Sequence, residues 1–432
     1  MSGDPLPVDV AIVGGGLVGA SLSIALQASN LSVALIESVA ADAAAQPSFD
    51  DRTTALGNGT RKIFEALDLW RELAPTAAPI THIHVSDAGR YGFARLAADE
   101  HGLDAFGYVL TNRSIGAVLR RRLAQCAGLE LRMPARCTRV EIFDDHALLE
   151  TEPGARPLKA KLVVAADGAQ SQVRLAAGLP AEVEDYAQVA VIAHVAAARP
   201  ADGTAYERFT PQGPFAVLPL ADGHYGVVWT LAPDAATRVL ALSDAEYLRA
   251  LQAEFGWRVG RFLRVGQRSA YPLKLTRAQD IVGRRVVLIG NAAQGLHPVA
   301  GQGFNLGLRD AATLAEVLAA LPVSRAAGAV TDARAVTDAG AVTDAGAAAV
   351  LEEFRARRSA DREGMLRFTD GLVKLFGDQR PGVPFARDLG LLLFDLSPMA
   401  KQAMSRVSYG FGGNVPRLAR GAALSARRGE RS

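Results

Sequence analysis

Residues 8–37 read VDVAIVGGGLVGASLSIALQASNLSVALIE, and no charged side chain interrupts them from Val10 to Ile36. A run of that length raises a membrane-spanning helix. Gly14, Gly15, Gly16 and Gly19 break it, and Ser29, Asn30 and Ser32 divide its second half, so that reading fails. No basic group precedes it, so a secretory signal is not expected either. The segment instead predicts a strand over Val8–Val13, a helix over Leu17–Ala28 and a second strand over Ser32–Glu37. Between the first two lies Gly14-x-Gly16-x-x-Gly19. Gly14 permits the turn, Gly16 lets a pyrophosphate approach the backbone, and Gly19 allows close helix packing. The helix N-terminus attracts the negative charge, and Glu37 is placed to accept hydrogen bonds from a ribose. The chain is therefore expected to start as a dinucleotide-binding α/β unit.

Two later segments repeat the pattern of a buried strand running into a glycine turn. Leu162–Arg174 reads LVVAADGAQSQVR and places Asp167-Gly168 at the strand end. Gly290–Ala311 reads GNAAQGLHPVAGQGFNLGLRDA after the apolar VVLI, with a helix predicted from about Gly303 to Leu321. So many glycines weaken a connection unless its backbone must come close to something. Other chemistries lack support. His82-x-His84 has no accompanying ligand pattern, so no metal is expected, and neither a G-x-S-x-G elbow nor a Walker sequence occurs. Trp70, Trp229 and Trp257 stand too far apart for the W-x-W-x-I-P signature of flavin halogenases.

In this order the three segments resemble the FAD-dependent aromatic hydroxylases related to para-hydroxybenzoate hydroxylase. FDDRTTAL, HVSDAG, YERFTPQGPFAVLPLADG, RSAYPL and RRSADRE narrow the resemblance to the ubiquinone-biosynthesis branch. It implies FAD as cofactor, NAD(P)H as electron donor and O2 as co-substrate. The chemistry expected is hydroxyl transfer from a C4a-hydroperoxide of the flavin to the electron-rich ring of a polyprenylated methoxyphenol. It also implies roles. Gly14, Gly16 and Gly19 would face the pyrophosphate, Glu37 the ribose, and Arg52 and Arg113 the flavin and phosphates, while Asp167 and Gly168 would touch the flavin nucleotide. Asn291 stands where the wider class has an aspartate bound to the ribitol, and Gln294 replaces a histidine seen in many relatives. Backbone N–H groups from Gly301, Gln302, Gly303, Phe304 and Asn305 would stabilise negative charge at the flavin edge. Pro298 would sit against the ring, His297 would pack beside it, transfer a proton or simply be buried, and Tyr271 with Pro272 would line the pocket or pack at a domain junction.

The resulting expectation is a Rossmann-like FAD-binding domain with an inserted sheet-rich substrate domain and a C-terminal helical region. The FAD domain takes residues 1–80, 106–182 and 277–322, with 81–105 and 183–276 on the substrate side. Residues 323–348 carry a linker in which VTDA recurs at Val330, Val336 and Val342, and 349–432 a helical region with a basic tail. That tail places Arg406, Arg417, Arg420, Arg427, Arg428 and Arg431 against Glu430, after the apolar LGLLLFDLSPMAKQAM. Such a pairing suits peripheral attachment to anionic lipid on the inner face of the cytoplasmic membrane, docking onto other ubiquinone-biosynthesis proteins, or a packed helix with a solvated tail. A net charge of +2 gives no bias toward nucleic acid, and two cysteines, Cys126 and Cys137, fit a reducing cytoplasm.

Overall fold

The computed structural model describes residues 4–40, 50–152, 154–321, 344–378, 380–397 and 415–424. The VTDA stretch up to residue 343 and the tail residues Arg406, Arg427, Arg428, Glu430 and Arg431 lie outside them.

The protein is a Rossmann-like α/β domain carrying a second, antiparallel-rich sheet and C-terminal helices. The first sheet is parallel at its centre because its strands are joined by helical or sheet-spanning crossovers. Its order is Val286–Leu288, Leu158–Ala165, Leu6–Val13, Val33–Ile36, Leu129–Arg132. Strands buried on both faces read as unbroken apolar runs, as in VAIV and LVVA, whose residues are almost completely inaccessible. Helices Leu17–Ala25 and Gln302–Ala319 pack together beside that sheet. Gly19 lets the first of these helices lie against the turn that precedes it, since a Cβ there would stand 1.9 Å from the Gly14 carbonyl oxygen.

The second sheet has nine strands. Six come from residues 181–278, and His82–Asp87 with Phe93–Ala97 complete one side. At the other edge, Gln294–Gly295 pairs with Ser269–Ala278, matching Thr276 to Gly295 and Arg277 to Gln294. The glycine-rich loop is thereby stitched to both sheets.

Two local readings needed revision. The sheet-rich segment 183–276 also holds two helices, Asp244–Phe255, closed by a capping box of Ser243 with Glu246, and Pro233–Leu240. Pro at its first turn is compatible with helix, and its short length hid the period. The stretch expected as linker through residue 348 is packed from residue 344, where the Asp344 carboxylate meets Arg285 at 2.5 Å. After it, helix Ala348–Gly377 crosses back over the fold, followed by Val383–Leu396.

Candidate functional site

The registers bring the three glycine turns to one edge. Val13 pairs with Ala165, Ala165 with Leu288, and Val13 with Ile36 on its other side. The next residue on each strand is Gly14, Ala166, Ile289 or Glu37, so all four chain ends emerge side by side at the carboxyl edge of the parallel strands. That is where open α/β sheets bind ligands.

Gly14 has φ +104°, and a Cβ on it would come 2.3 Å from the Ala166 carbonyl oxygen, so the turn is closed to side chains. Gly16 caps helix Leu17–Ala25 in an extended conformation. Glu37 is buried at the end of its strand, accepting the Gly15 N–H at 2.7 Å and the Val39 N–H at 2.8 Å. Its carboxylate thus braces the turn, with acceptor capacity left over. Gly14, Gly16 and Glu37 line the central cavity. Gly19 is absent from that lining, because it serves helix packing and stands back from the expected phosphate site.

Asp167 caps the short helix after its strand by accepting the Gln172 N–H at 2.8 Å and the Val173 N–H at 3.3 Å through Oδ2. Its Oδ1 is buried without a hydrogen-bond partner, and burial pushes the carboxyl pKa up. Gly168, next along and also in the lining, has φ +86° with open space where a Cβ would be. An orphan acceptor beside an unobstructed glycine marks where a polar ligand belongs.

The Gly290–Asn305 loop is held by a buried polar network. Asp310 Oδ2 accepts the Gly290 N–H at 3.1 Å and the Gln294 side-chain N–H at 2.6 Å, and its Oδ1 accepts from Arg358 at 2.8 Å. Gln294 in turn accepts from Arg362 at 2.9 Å. Asn305 was expected at the flavin edge through its backbone N–H, and its side chain is spent within the protein. It accepts from Gly57 N–H and Thr60 and donates to the carbonyls of Ala55 and Gly301. The Gly301 N–H is likewise committed, to Pro298 at 2.9 Å. Gly303 and Phe304 stand in the first turn of helix Gln302–Ala319, whose N–H groups have no intrahelical acceptor. A Cβ on Gly303 would meet nothing within 4 Å, so the protein itself does not require glycine there.

His297 is almost fully buried, and both ring nitrogens are engaged. Nδ1 accepts the Val299 N–H at 3.2 Å and Nε2 faces the Gln188 side-chain oxygen at 3.2 Å, which fixes a neutral tautomer. Burial holds its pKa down at about 4. The expectation of proton transfer by His297 is therefore revised: this imidazole ties the loop to the second sheet. Pro298, Asn291, Gly301, Gln302 and Tyr271 line the cavity. Tyr271 donates to Asp50 at 2.9 Å, and the Arg52 guanidinium lies 4.7 Å from its ring centroid while pairing with Asp50. Arg113 lies outside the cavity lining, forked onto Asp51 at 2.7 and 3.1 Å near the surface, because helix Asn112–Leu123 turns it away. Its expected contact with the cofactor is set aside.

The cavity encloses about 1800 Å³, more than the ~300–1,000 Å³ usual for a small-molecule pocket. It runs from the glycine turns along one face of the second sheet to helix Val383–Leu396, through mainly apolar residues such as Val85, Ala216, Val228, Leu391 and Phe394. Its size, the orphan Asp167 oxygen and the open Gly303 position all fit FAD plus a substrate. Sequence reasoning missed Asp50, Gln188 and Glu207, which also shape this space. A Glu between Ala205 and Phe209 on the apolar face of a strand was the available signal for the last.

Residues 7–334 match the FAD binding domain family. The chain is 36% identical to the ubiquinone hydroxylase UbiL of Rhodospirillum rubrum over 96% of its own length and 93% of that protein. It is 29% identical to the 3-demethoxyubiquinol 3-hydroxylase of Escherichia coli, covering 94% and 99% of the two chains. Among solved structures, the p-nitrophenol 4-monooxygenase PnpA of Pseudomonas putida shares the fold with a TM-score of 0.73 at 22% identity, covering 98% of this chain and 100% of that one. Fold and site thus define an FAD-dependent monooxygenase that uses NAD(P)H and O2. Within that class, the chain belongs to the FAD-dependent ubiquinone-biosynthesis hydroxylases.

Proposed function

We propose that this protein hydroxylates the aromatic ring of a polyprenylated methoxyphenol in ubiquinone biosynthesis. The observation that carries the reading is the single cavity that joins the glycine turns to an apolar sheet face long enough to receive a prenylated ring. Bound FAD, reduced by NAD(P)H, supplies oxygen activation and transfer of one oxygen atom to the ring. Gly14 and Gly16 admit its pyrophosphate, Glu37 the ribose, and Asp167 with Gly168 the nucleotide. The first-turn N–H groups of Gly303 and Phe304 face the flavin edge where negative charge develops. Pro298 and Tyr271 flank the ring, with His297 and Asn305 holding the loop rigid and Arg52 keeping Tyr271 in place.

The same reading gives the C-terminal helix a second task. One side of Val383–Leu396 lines the cavity through Arg387, Gly390, Leu391 and Phe394, while Phe385, Leu389, Leu393 and Leu396 form a stripe exposed by 45–78%. A stripe this apolar at the cavity wall supports peripheral docking on the bilayer that holds a polyprenyl substrate. No helix among the described residues is long and apolar enough to cross a membrane.

Deleting the gene tests the reading. Cells should accumulate a polyprenyl methoxyphenol lacking one ring hydroxyl, and restoring the gene under isotopically labelled O2 should place label in the new hydroxyl. Label from water instead would exclude oxygen transfer, and accumulation of an intermediate lacking a different hydroxyl would move the assignment to another ring carbon.

A further inference from the structure

Glu207 is a carboxyl set in an apolar wall. It lies on strand Thr204–Thr210, where strand periodicity places Ala205, Glu207 and Phe209 on one face, all three in the cavity lining. Across the sheet Glu207 stands between Val85 and Ala216, and the row continues to Val228 and Ile192. These four neighbours also line the cavity, and all are apolar. Along the strand, Phe209 stacks on Phe376 with ring centroids 3.5 Å apart, in a cluster that includes Val299 and Leu391, while Ala205 packs in the cluster of Phe394. Glu207 therefore lies on the sheet face between Phe209, which packs with the loop carrying Pro298, and Ala205, which packs with the C-terminal helix.

Among the described residues, no donor or cation is paired with this carboxyl, and burial alone pushes its pKa up to about 7. Four other ionisable groups of the cavity lining are engaged: Arg387 with Asp87 at 2.9 Å, Tyr271 with Asp50 at 2.9 Å, Lys274 with Asp185 at 3.1 Å, and His297 with Gln188 at 3.2 Å. An unpaired carboxyl facing an apolar space destabilises the fold. What it lacks is a donor, and a phenol brings one.

We infer that Glu207 is the residue that receives the phenolic hydroxyl of the substrate and takes its proton. The inference rests on the proposed phenolic substrate. In the step, the phenol O–H bond breaks and an O–H bond forms on the Glu207 carboxylate. The electron pair remains on the phenolic oxygen, raising electron density at the ring carbons ortho and para to it. After oxygen transfer, Glu207 returns the proton to that oxygen, so its own protonation state is restored. A free phenol ionises near pH ~10, and a base titrating near neutrality in a dry wall is suited to take that proton as the ring attacks. The same carboxylate would repel aromatic acids, which selects neutral phenols.

The test uses flavin-loaded protein and a methoxyphenol with one short prenyl chain, and follows kcat/KM as a function of pH. In wild type kcat/KM should rise to a plateau as the Glu207 carboxyl ionises. In Glu207→Gln that rise should be lost, leaving a rate that climbs only toward the pKa of the free phenol, and kcat/KM at neutral pH should fall by about 100-fold or more, with Glu207→Asp recovering part of both. Thermal stability of Glu207→Gln and Glu207→Leu should be unchanged or raised, since each removes an unpaired carboxyl. A pH profile and kcat/KM in Glu207→Gln equal to those of an active wild type would overturn the inference alone, as would a loss of stability without a change in the pH profile. A wild type that neither binds nor hydroxylates any prenylated phenol would overturn the substrate reading and this inference together.

Discussion

Asp310 accepts the backbone N–H of Gly290 at 3.1 Å, so the helix that follows the glycine-rich loop also holds the start of that loop in place. The carboxylate is nearly inaccessible and is shared with Arg358, which bridges to Asp361 at 2.5 Å, and Asp361 also binds Arg309 at 2.9 Å. Removing one member of a buried set leaves the others charged and unsatisfied. Arg358→Ala should therefore destabilise the protein by roughly 3–5 kcal/mol and lower its flavin content. Arg277→Ala, which breaks a half-exposed pair with Glu363, should cost less than about 1 kcal/mol. Denaturant unfolding of both variants is the check, and equal losses would show that the buried network has no special hold on the loop.

Gly303 separates the needs of the chain from those of the cofactor. Its Cβ position is empty in the protein, and alanine is favoured over glycine inside a helix by about 1 kcal/mol, so Gly303→Ala protein stripped of flavin should melt at or above the wild-type temperature. With flavin bound, the added methyl should crowd the edge that Gly303 and Phe304 face, lowering product formed per NAD(P)H consumed. Gly16→Val should act earlier, abolishing the flavin spectrum of folded protein. Full flavin occupancy in that variant would remove Gly16 from the pyrophosphate site.

The buried imidazole of His297 makes a pH-dependent contribution to stability. Its pKa is held at about 4 by burial, whereas an unfolded histidine titrates near ~6.5. Between those values the unfolded chain takes up a proton and the folded protein does not, so stability is full above the upper value and falls as pH drops toward the lower, by up to roughly 3 kcal/mol. His84, also depressed to about 4 chiefly by burial, adds a similar slope. His297→Gln should flatten the melting temperature profile in that window without erasing it. An unchanged profile would mean that His297 takes up its proton at the same pH in the folded and unfolded protein.

The exposed stripe on the C-terminal helix can be weakened without touching the cavity. Leu389→Ser with Leu393→Ser should reduce sedimentation with anionic phospholipid vesicles by about tenfold or more, leaving flavin content as in wild type, because both side chains point outward. Undiminished vesicle binding by the double variant would exclude the stripe as the docking surface.

Much of the cofactor site was legible because its demands are local. A pyrophosphate close to a backbone needs glycine at set positions between a strand and a helix, and Gly14 and Gly16 stand at such positions within a few residues of chain. Three such segments in order were enough to imply the fold and the cofactor. What tertiary structure alone decided depends on partners far away in sequence. The register of Val13, Ala165 and Leu288 places the turns side by side. The Asn305 side chain bonds Gly57 and Thr60, 248 and 245 residues away, so a residue expected to serve through its backbone also became a strut through its side chain. Arg113 was drawn to Asp51, and His297 was locked by Gln188. Glu207 reads in sequence as one more polar residue of a strand. Only the assembled sheet, with apolar neighbours on both flanking strands, leaves its carboxyl facing a cavity with no partner, because burial and pairing belong to the packed whole and to no single segment.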